Sequence, residues 1–414
     1  MLPERAGYVV VDGIVDPVSW SNEPTHQWST HWLADAEKTY EKFLSDCSKA
    51  GPPLCPLALH EGEPWRNIES RFEEFFDRLA REPMRVNSIG GRQGRPSSND
   101  EGERRQGVLT SGAARGLLES FLYNPQRWPE AAQLYSSAFK GDAEGLYNHI
   151  RPPPFNSSSR TTSIPSHSHS LPTRRDLHRQ AITCLDSPPS STPPSAEELA
   201  RIGLYNLRNV SPHFGVSLAM NVLEPDIGCE FWPVHIGARE EREANRGEGK
   251  ENTINERQSL PERFSGPWGL GKGKTPGPGS DTELERRMVI ISNTADPITP
   301  LSGGLHLNAL MPDSSVIVIQ DGPGHCSNGL PSVCTAKLVR GYFSGTGTGT
   351  STNPNADKDG IPFNGTICTP DMLTFPDPRR SIDGIESVMW SLMSEEDRTL
   401  LRAVRDIRRG YEDG

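Results

Sequence analysis

Residues 288–327 read MVIISNTADPITPLSGGLHLNALMPDSSVIVIQDGPGHCS, and this stretch decides the fold. Its two apolar, β-branched runs, Met288–Ser292 and Ser315–Gln320, predict buried strands. The segment between them, PLSGGLHLNALMP, predicts a helix. A strand, turn, helix and strand in succession form a βαβ unit, so we expect a parallel sheet with a right-handed crossover.

Each of these predicted strands is followed by a side chain suited to acid–base chemistry. Asp296 follows the first strand and His325 the second. Catalytic groups gather at the carboxyl ends of parallel strands, and the order Asp then His fits the Ser, Asp, His order of α/β-hydrolases. Position alone leaves a second interpretation open. Asp-Pro is a common turn dipeptide, and a His after Gly in a loop is often simply solvated.

The region upstream of this unit predicts one more strand and several helices. Tyr8–Asp12 is a continuous apolar run that ends in turn residues, as in a buried parallel strand. One predicted helix carries Ala36, Tyr40, Phe43 and Cys47 on a single face, and a second carries Trp65, Ile68, Phe72, Phe75 and Leu79. Residues 107–124 and 129–150 predict further helices.

Long polar segments separate these elements. They cover about 86–107, 152–173, 186–198, 238–285 and 345–360. Their composition buries too little apolar area to offset the entropy of ordering, so it predicts disordered or loosely ordered loops. The whole chain, with 34% hydrophobic residues, 39 Gly and 37 Pro in 414 residues, is typical of a globular core diluted by polar insertions.

Composition also excludes several classes of function. A net charge of −11 provides no field that attracts nucleic acid. The sequence contains no run of 18 apolar residues, so it predicts no membrane-spanning helix. None of the seven cysteines forms a C-x-x-C pair or has a histidine at metal-ligand spacing, so we expect no metal and no cofactor.

The stretch from Val289 to Asp371 carries a family resemblance. D-P-x-T-P follows one strand, G-H-C-S follows the next, and S-x-C, Y-F and G-T-x-C come after them. This succession resembles the C-terminal domain of tripeptidyl-aminopeptidase-like α/β-hydrolases, serine peptidases of the proline-iminopeptidase clan. Upstream, LPERAGYVVVDGIVDPVSW, FLYNPQRWPEAAQLYSSAFKGD, AITCLD and CEFWPV also resemble this family. The resemblance covers most of the chain between the polar segments.

The resemblance implies an α/β fold and a division of the chain into four segments. The fold would be a partial α/β-hydrolase fold, with C-terminal parallel strands, a largely helical cap and disordered polar insertions. The implied segments are a core strand in 1–20, the cap with its insertions in 21–285, the hydrolase segment in 286–375 and a helical extension in 376–414. Asp296 is then the triad acid and His325 the general base.

Cysteines and glycosylation sequons bear on the cellular location. The resemblance implies the disulfides Cys47–Cys55, Cys184–Cys229 and Cys334–Cys368, and leaves Cys326 unpaired beside His325. We do not assign Cys326 as nucleophile, because a serine elsewhere does that work in the family. Together with the sequons at Asn156, Asn209 and Asn364, the cysteines indicate a secreted glycoprotein in the full-length form. Free buried thiols in an intracellular protein are the alternative.

The nucleophile motif of the family is absent from the sequence. No G-x-S-x-G string occurs, and the seven residues before Tyr8 are too few for its strand, turn and helix. No signal peptide is visible after Met1 either. Two explanations stay open: a truncated sequence whose full-length form carries the serine, or a genuine chain that is no ordinary triad enzyme. We favour the first, and expect little triad catalysis from the chain alone.

The predicted function is a serine hydrolase, or the C-terminal part of one, that releases residues or short peptides from peptide N-termini. One alternative is an esterase or amidase of the same fold. Another is a non-catalytic remnant that binds a ligand or partner through the cap. We expect a peptide or small-molecule substrate and neither nucleic acid nor a membrane as partner, and the sequence does not set the oligomeric state.

Overall fold

The structure, a computed structural model, describes residues 7–89, 104–150, 181–188, 193–215, 229, 286–345 and 354–412. The predicted loops at 152–173 and 238–285 and the sequon asparagine Asn156 lie outside these residues. The chain divides into two compact units. One comprises Met1–Thr39, Thr173–Met372 and Ser387–Gly414, and the other comprises Tyr40–Pro172 and Leu373–Glu386.

Strands and helices are numbered separately along the chain. The strands are β1 Val10–Asp12, β2 Met84–Ile89, β3 Arg104–Leu109, β4 Met288–Ala295, β5 Ser315–Pro323, β6 Thr366–Cys368, β7 Ser381–Ile382 and β8 Ile385–Glu386. The helices are α1 Pro17–Asn22, α2 Ser29–Trp32, α3 Ala36–Ala50, α4 Trp65–Arg81, α5 Ser111–Leu122, α6 Trp128–Phe139, α7 Glu144–Ile150, α8 Ala196–Asn209, α9 Leu301–Leu310, α10 Val333–Ser344, α11 Ser387–Leu392 and α12 Glu395–Glu412. Residues 181–186 are also helical.

The first unit contains a parallel sheet. Within the described residues its strand order is β1-β4-β5-β6, and every neighbouring pair is parallel. Ile290 of β4 pairs with Val11 of β1 on one side and with Ile317 of β5 on the other. The predicted parallel α/β fold is therefore confirmed, with the β4 and β5 strands extending past the predicted runs.

Apolar residues cover both faces of this sheet. On one face, Val289 and Ile291 of β4 pack with Leu338 and Tyr342 of α10. On the other face, Met288, Ile290 and Ile317 pack with Met311, which directly follows α9. Alternate residues of β4 therefore serve opposite layers, which explains why its sequence is continuously apolar rather than alternating.

The second unit is mainly helical and has an aromatic core. Phe43, Phe72, Phe75, Trp128 and Tyr135 are all buried within it. Ring centroids of Phe43 and Trp128 lie 5.4 Å apart, and those of Phe72 and Tyr135 lie 5.1 Å apart. The predicted apolar faces of α3 and α4 thus supply much of this core.

Two predictions about this second unit need correction. The segment 86–107, expected to be a loop, contributes to an antiparallel hairpin of β2 and β3. Burial of Val86 and Leu109 stabilises it, since these side chains are 4% and 0% exposed. The predicted helix over 129–150 is two helices, α6 and α7, separated by turn residues 140–143.

Disulfides link three pairs of the described cysteines. They are Cys47–Cys55, Cys184–Cys229 and Cys334–Cys368, the pairs that the resemblance implies. Cys334–Cys368 fastens α10 to the edge strand β6. Within the described part of the chain, no helix is both long and apolar enough to cross a membrane.

Replacing Ile290 with alanine tests the role of β4 as a core strand. Ile290 is fully buried, so Ile290→Ala should lower the free energy of unfolding by about 2–5 kcal/mol. Ile367 on β6 is 65% exposed, and Ile367→Ala should change the free energy of unfolding by less than about 0.5 kcal/mol. Urea unfolding monitored by circular dichroism measures both values. Equal losses in the two variants would contradict the assignment.

Candidate active site

Three parallel strands end at a common edge of the sheet. β1 ends at Asp12, β4 at Ala295 and β5 at Pro323. The N–H of Gly324 donates to the carbonyl of Ala295 at 3.0 Å, so β4 and β5 stay paired up to this edge. Asp296 follows the end of β4, and His325 follows the end of β5. Both therefore lie at the edge where parallel sheets place catalytic groups.

Asp296 lies in the turn after β4, and the residue is fully buried. Its Oδ1 accepts hydrogen bonds from the backbone N–H groups of Ile298, at 3.0 Å, and Thr299, at 2.8 Å. These bonds make an Asx turn, the structural role proposed for the Asp-Pro dipeptide. The second oxygen, Oδ2, accepts from the Thr299 hydroxyl at 2.7 Å and lies 3.2 Å from His325 Nδ1. The turn and the acid role are therefore compatible.

His325 lies in the loop after β5 and faces this carboxylate. Its Nδ1 is 3.2 and 3.3 Å from the two oxygens of Asp296 and 3.0 Å from Thr299 Oγ1. Thr299 donates its own hydrogen to Asp296, so its oxygen can share the imidazole N–H with the carboxylate. With Nδ1 as the protonated nitrogen, Nε2 is the atom that can exchange a proton with a reacting group.

Thr299 is a site residue that the sequence reasoning missed. It contributes a backbone N–H to the turn and a hydroxyl that contacts both Asp296 and His325. The signal was present in the D-P-x-T-P string, where a threonine stands three residues after the turn aspartate. A hydroxyl at that spacing can reach back to the aspartate, as Ser and Thr do in local side-chain turns.

The surroundings of His325 favour its charged form. Burial opposes the imidazolium, but hydrogen bonds to Asp296 and Cys326, with the charge of Asp296, outweigh that penalty. Together they raise the pKa of His325 from 6.5 to about 10. Since a general base must first be unprotonated, His325 gains base character on the alkaline side of neutrality.

Side chains of the sheet specify the loop that carries His325. Asn293, buried in β4, donates through Nδ2 to the carbonyls of Gly324 at 2.7 Å and Cys326 at 2.8 Å. The N–H of Cys326 donates to Asp296 Oδ2 at 3.1 Å. Cys326 adopts a φ of +62°, a left-handed conformation that costs a non-glycine residue on the order of 1–3 kcal/mol. The surrounding hydrogen bonds offset this strain.

Cys326 is the free cysteine of the described residues. Its Sγ lies 3.5 Å from His325 Nε2 and 3.5 Å from the carbonyl oxygen of Asp12. Burial raises the pKa of this thiol, and the neighbouring imidazole offsets that rise only in part. Because the thiolate is the nucleophilic form, a raised pKa leaves Cys326 a weak nucleophile.

Two of the predicted glycosylation sites lie on the surface. Asn209 is the last residue of α8, and its Nδ2 donates to the carbonyl of Tyr205 at 2.9 Å. Asn364 is exposed beside β6, and its Oδ1 accepts from the N–H of Ile317 at 2.9 Å. Both asparagines are accessible, and their glycosylation stays a prediction. No group of three or more His, Cys, Asp or Glu side chains in the described residues is arranged to hold a metal ion.

One comparison with known proteins bears on this site. The family model described as TAP-like protein, of the α/β-hydrolase kind, matches residues 269–356. The match spans β4, α9, β5 and α10, and so includes Asp296 and His325. It covers roughly a fifth of the 414 residues, and that segment is similar to TAP-like α/β-hydrolases. A search of curated proteins finds no match to the chain.

Asp296→Asn tests the cause of the shifted imidazole. The amide carries no negative charge, so the pKa of His325 should fall from about 10 towards 6.5. Nuclear magnetic resonance of protein labelled with ¹⁵N-histidine measures this pKa, and the signal that disappears in His325→Gln identifies His325. Glu37→Gln is the control, because Glu37 contacts a different imidazole, His213, at 2.8 Å. A pKa that Asp296→Asn leaves unchanged would contradict the pairing.

The same shift links folding stability to pH. The pKa of His325 is higher in the folded protein than its ordinary value of 6.5. The folded state therefore binds the proton more tightly, and the resulting stability is present in full below pH 6.5. It is lost as pH rises through about 10. The difference in free energy of unfolding between the protein and His325→Gln should shrink across this range, and a constant difference would argue against the shift.

Proposed function

We propose that this protein is a serine hydrolase of the peptidase kind, in which His325 transfers the proton and Asp296 orients His325. The observation that carries the proposal is the contact of His325 Nδ1 with the buried Asp296, at adjoining ends of parallel strands. The TAP-like match over 269–356 supports the same chemistry. Cleavage next to a free peptide N-terminus is the finer part of the proposal and rests on the resemblance.

The proposed reaction proceeds in two halves. A serine hydroxyl attacks the scissile carbonyl and gives its proton to His325 Nε2, while Asp296 stabilises the imidazolium. The intermediate then collapses to an acyl-serine, and His325 passes the proton to the leaving amine. In the second half, water gives a proton to Nε2 and displaces the serine oxygen, which recovers its proton.

The proposal includes a serine beyond the present sequence. No G-x-S-x-G string occurs in the 414 residues, and that motif is the one that presents the hydroxyl in α/β-hydrolases. The thiol of Cys326 does not replace it in this scheme, since its pKa is raised. We propose accordingly that Asp296 and His325 serve a nucleophile supplied by the full-length form.

A substrate panel tests this function on the protein as its own cells produce it. We expect hydrolysis of aminoacyl and tripeptidyl 4-nitroanilides with a free amino group, and slower hydrolysis when that group is blocked. The rate should increase with pH towards about 10, since base catalysis needs neutral His325. His325→Gln should lower kcat/KM by a factor on the order of 10⁴–10⁶.

His213→Gln is the matched control for this panel. His213 also contacts a carboxylate through Nδ1, at 2.8 Å from Glu37, but it lies outside the proposed site. His213→Gln should leave kcat/KM within about twofold, because the carboxylate that His213 contacts is Glu37 and not Asp296. Hydrolysis of 4-nitrophenyl esters alone would overturn the peptidase assignment in favour of an esterase. Activity that survives His325→Gln would overturn the triad role.

A further inference from the structure

Asp12 holds a residue of the His325 loop although the two lie 315 positions apart in sequence. Both carboxylate oxygens of Asp12 are 3.0 Å from the backbone nitrogen of Ser327. Oδ2 also accepts the Ser327 hydroxyl at 2.7 Å. A carboxylate that binds the backbone and the side chain of one residue fixes that residue in more than one direction, and bonds to an ionised acceptor are the stronger kind.

Asp12 is well placed to act as a fixed support. It is the last residue of β1, and its position in the sheet is set by parallel pairing with Ile291 of β4. The next residue, Gly13, continues this register, because its N–H donates to the carbonyl of Ile291 at 3.1 Å. The carboxylate therefore extends from the sheet rather than from a loop, as precise positioning requires.

The backbone next to Asp12 also packs directly against the base. Gly13 has a φ of +70°, and a Cβ atom there would lie 2.6 Å from Cys326 Sγ and 3.2 Å from His325 Cε1. Only a glycine permits this approach. The end of β1 is thus in contact with the loop from Ser327 back to the imidazole.

Side chains of β4 and β5 hold the same loop. Asn293 of β4 donates to the carbonyls of Gly324 and Cys326, and Gln320 of β5 donates to the carbonyl of Ser327 at 3.0 Å. His325 lies between Gly324 and Cys326, both of which Asn293 holds. Ser327, which Asp12 holds, directly follows Cys326. A shift of Ser327 would therefore change the distance from His325 to Asp296, and misplacement by about 1 Å can reduce a catalytic rate about 100-fold.

We propose that Asp12 is a positioning residue for His325, and that it acts by holding Ser327. The inference rests on the proposed function, in which His325 transfers the proton. Asp12 itself contributes no atom to that transfer. It sets the imidazole within hydrogen-bond distance of Asp296, so that Nδ1 keeps its proton when Nε2 has lost its own.

A different role for Asp12 would act through its charge. Burial raises the pKa of Asp12, hydrogen bonds from Ser327 oppose that rise, and the charges of Asp296 and His325 act on this pKa in opposite directions. An ionised Asp12 would stabilise the imidazolium even if the loop were placed by other bonds. The test must therefore separate position from charge, and Ser327→Ala does so because it leaves the Asp12 carboxylate in place.

The readout is the exchange with water of the proton on His325 Nδ1, measured by nuclear magnetic resonance. We expect both Asp12→Asn and Ser327→Ala to accelerate this exchange by about tenfold or more, as when a charge-assisted hydrogen bond is lost. Glu37→Gln is the matched control. Glu37 likewise binds a serine hydroxyl, that of Ser211 at 2.6 Å, and a backbone N–H, that of His213 at 3.1 Å. It should leave the exchange unchanged.

Unchanged exchange in both Asp12→Asn and Ser327→Ala would overturn the positioning role, because Ser327→Ala alone leaves the backbone N–H of Ser327 bound to Asp12. If Asp12→Asn fails to fold, Asp12→Glu, which keeps the charge but displaces the carboxylate, takes its place in this comparison. The exchange rate is read without substrate, so this result is independent of turnover. If Asp12→Asn and Ser327→Ala accelerate the exchange while His325→Gln keeps full activity, the positioning role of Asp12 stands and the proposed function is rejected.

Discussion

The buried carboxylate of Asp296 joins two pieces of chain that lie 29 positions apart. One oxygen fixes the turn after β4 through the N–H groups of Ile298 and Thr299. The other contacts the Thr299 hydroxyl, the N–H of Cys326 and the imidazole of His325. An unpaired carboxylate at this depth would be strongly unfavourable, so the turn, the loop and the imidazole depend on one another. The hydrogen bonds that stabilise the buried charge of Asp296 also favour the protonated form of His325.

The parallel sheet provides the geometry in which these contacts occur. Register between β1, β4 and β5 brings Asp12, Asn293 and the loop after β5 to one edge, although they come from distant parts of the sequence. Polar side chains at that edge bind backbone groups on both sides of His325. Cys326 is held in a left-handed conformation between them. Such strain persists only where the surroundings over-determine the backbone, and it is frequent at functional sites.

Parts of this arrangement were predictable from the sequence, and parts were not. Continuous apolar runs identified β4 and β5, and their βαβ spacing identified the parallel sheet. Local patterns could not identify the β2–β3 hairpin, because its two strands are polar and lie on either side of residues 90–103. Asp12, Asn293 and Thr299 were missed as members of the site because each acts through a contact that depends on tertiary structure. The catalytic roles of Asp296 and His325 stay predictions.

The most direct test of the account is active-site labelling of the protein expressed from its own genomic locus. A fluorophosphonate forms a covalent bond with the hydroxyl of a serine that a neighbouring histidine activates. We expect mass spectrometry to find one labelled serine in a G-x-S-x-G motif, and we expect His325→Gln to abolish the adduct. Absence of any adduct, or an adduct that forms equally well in His325→Gln, would contradict it.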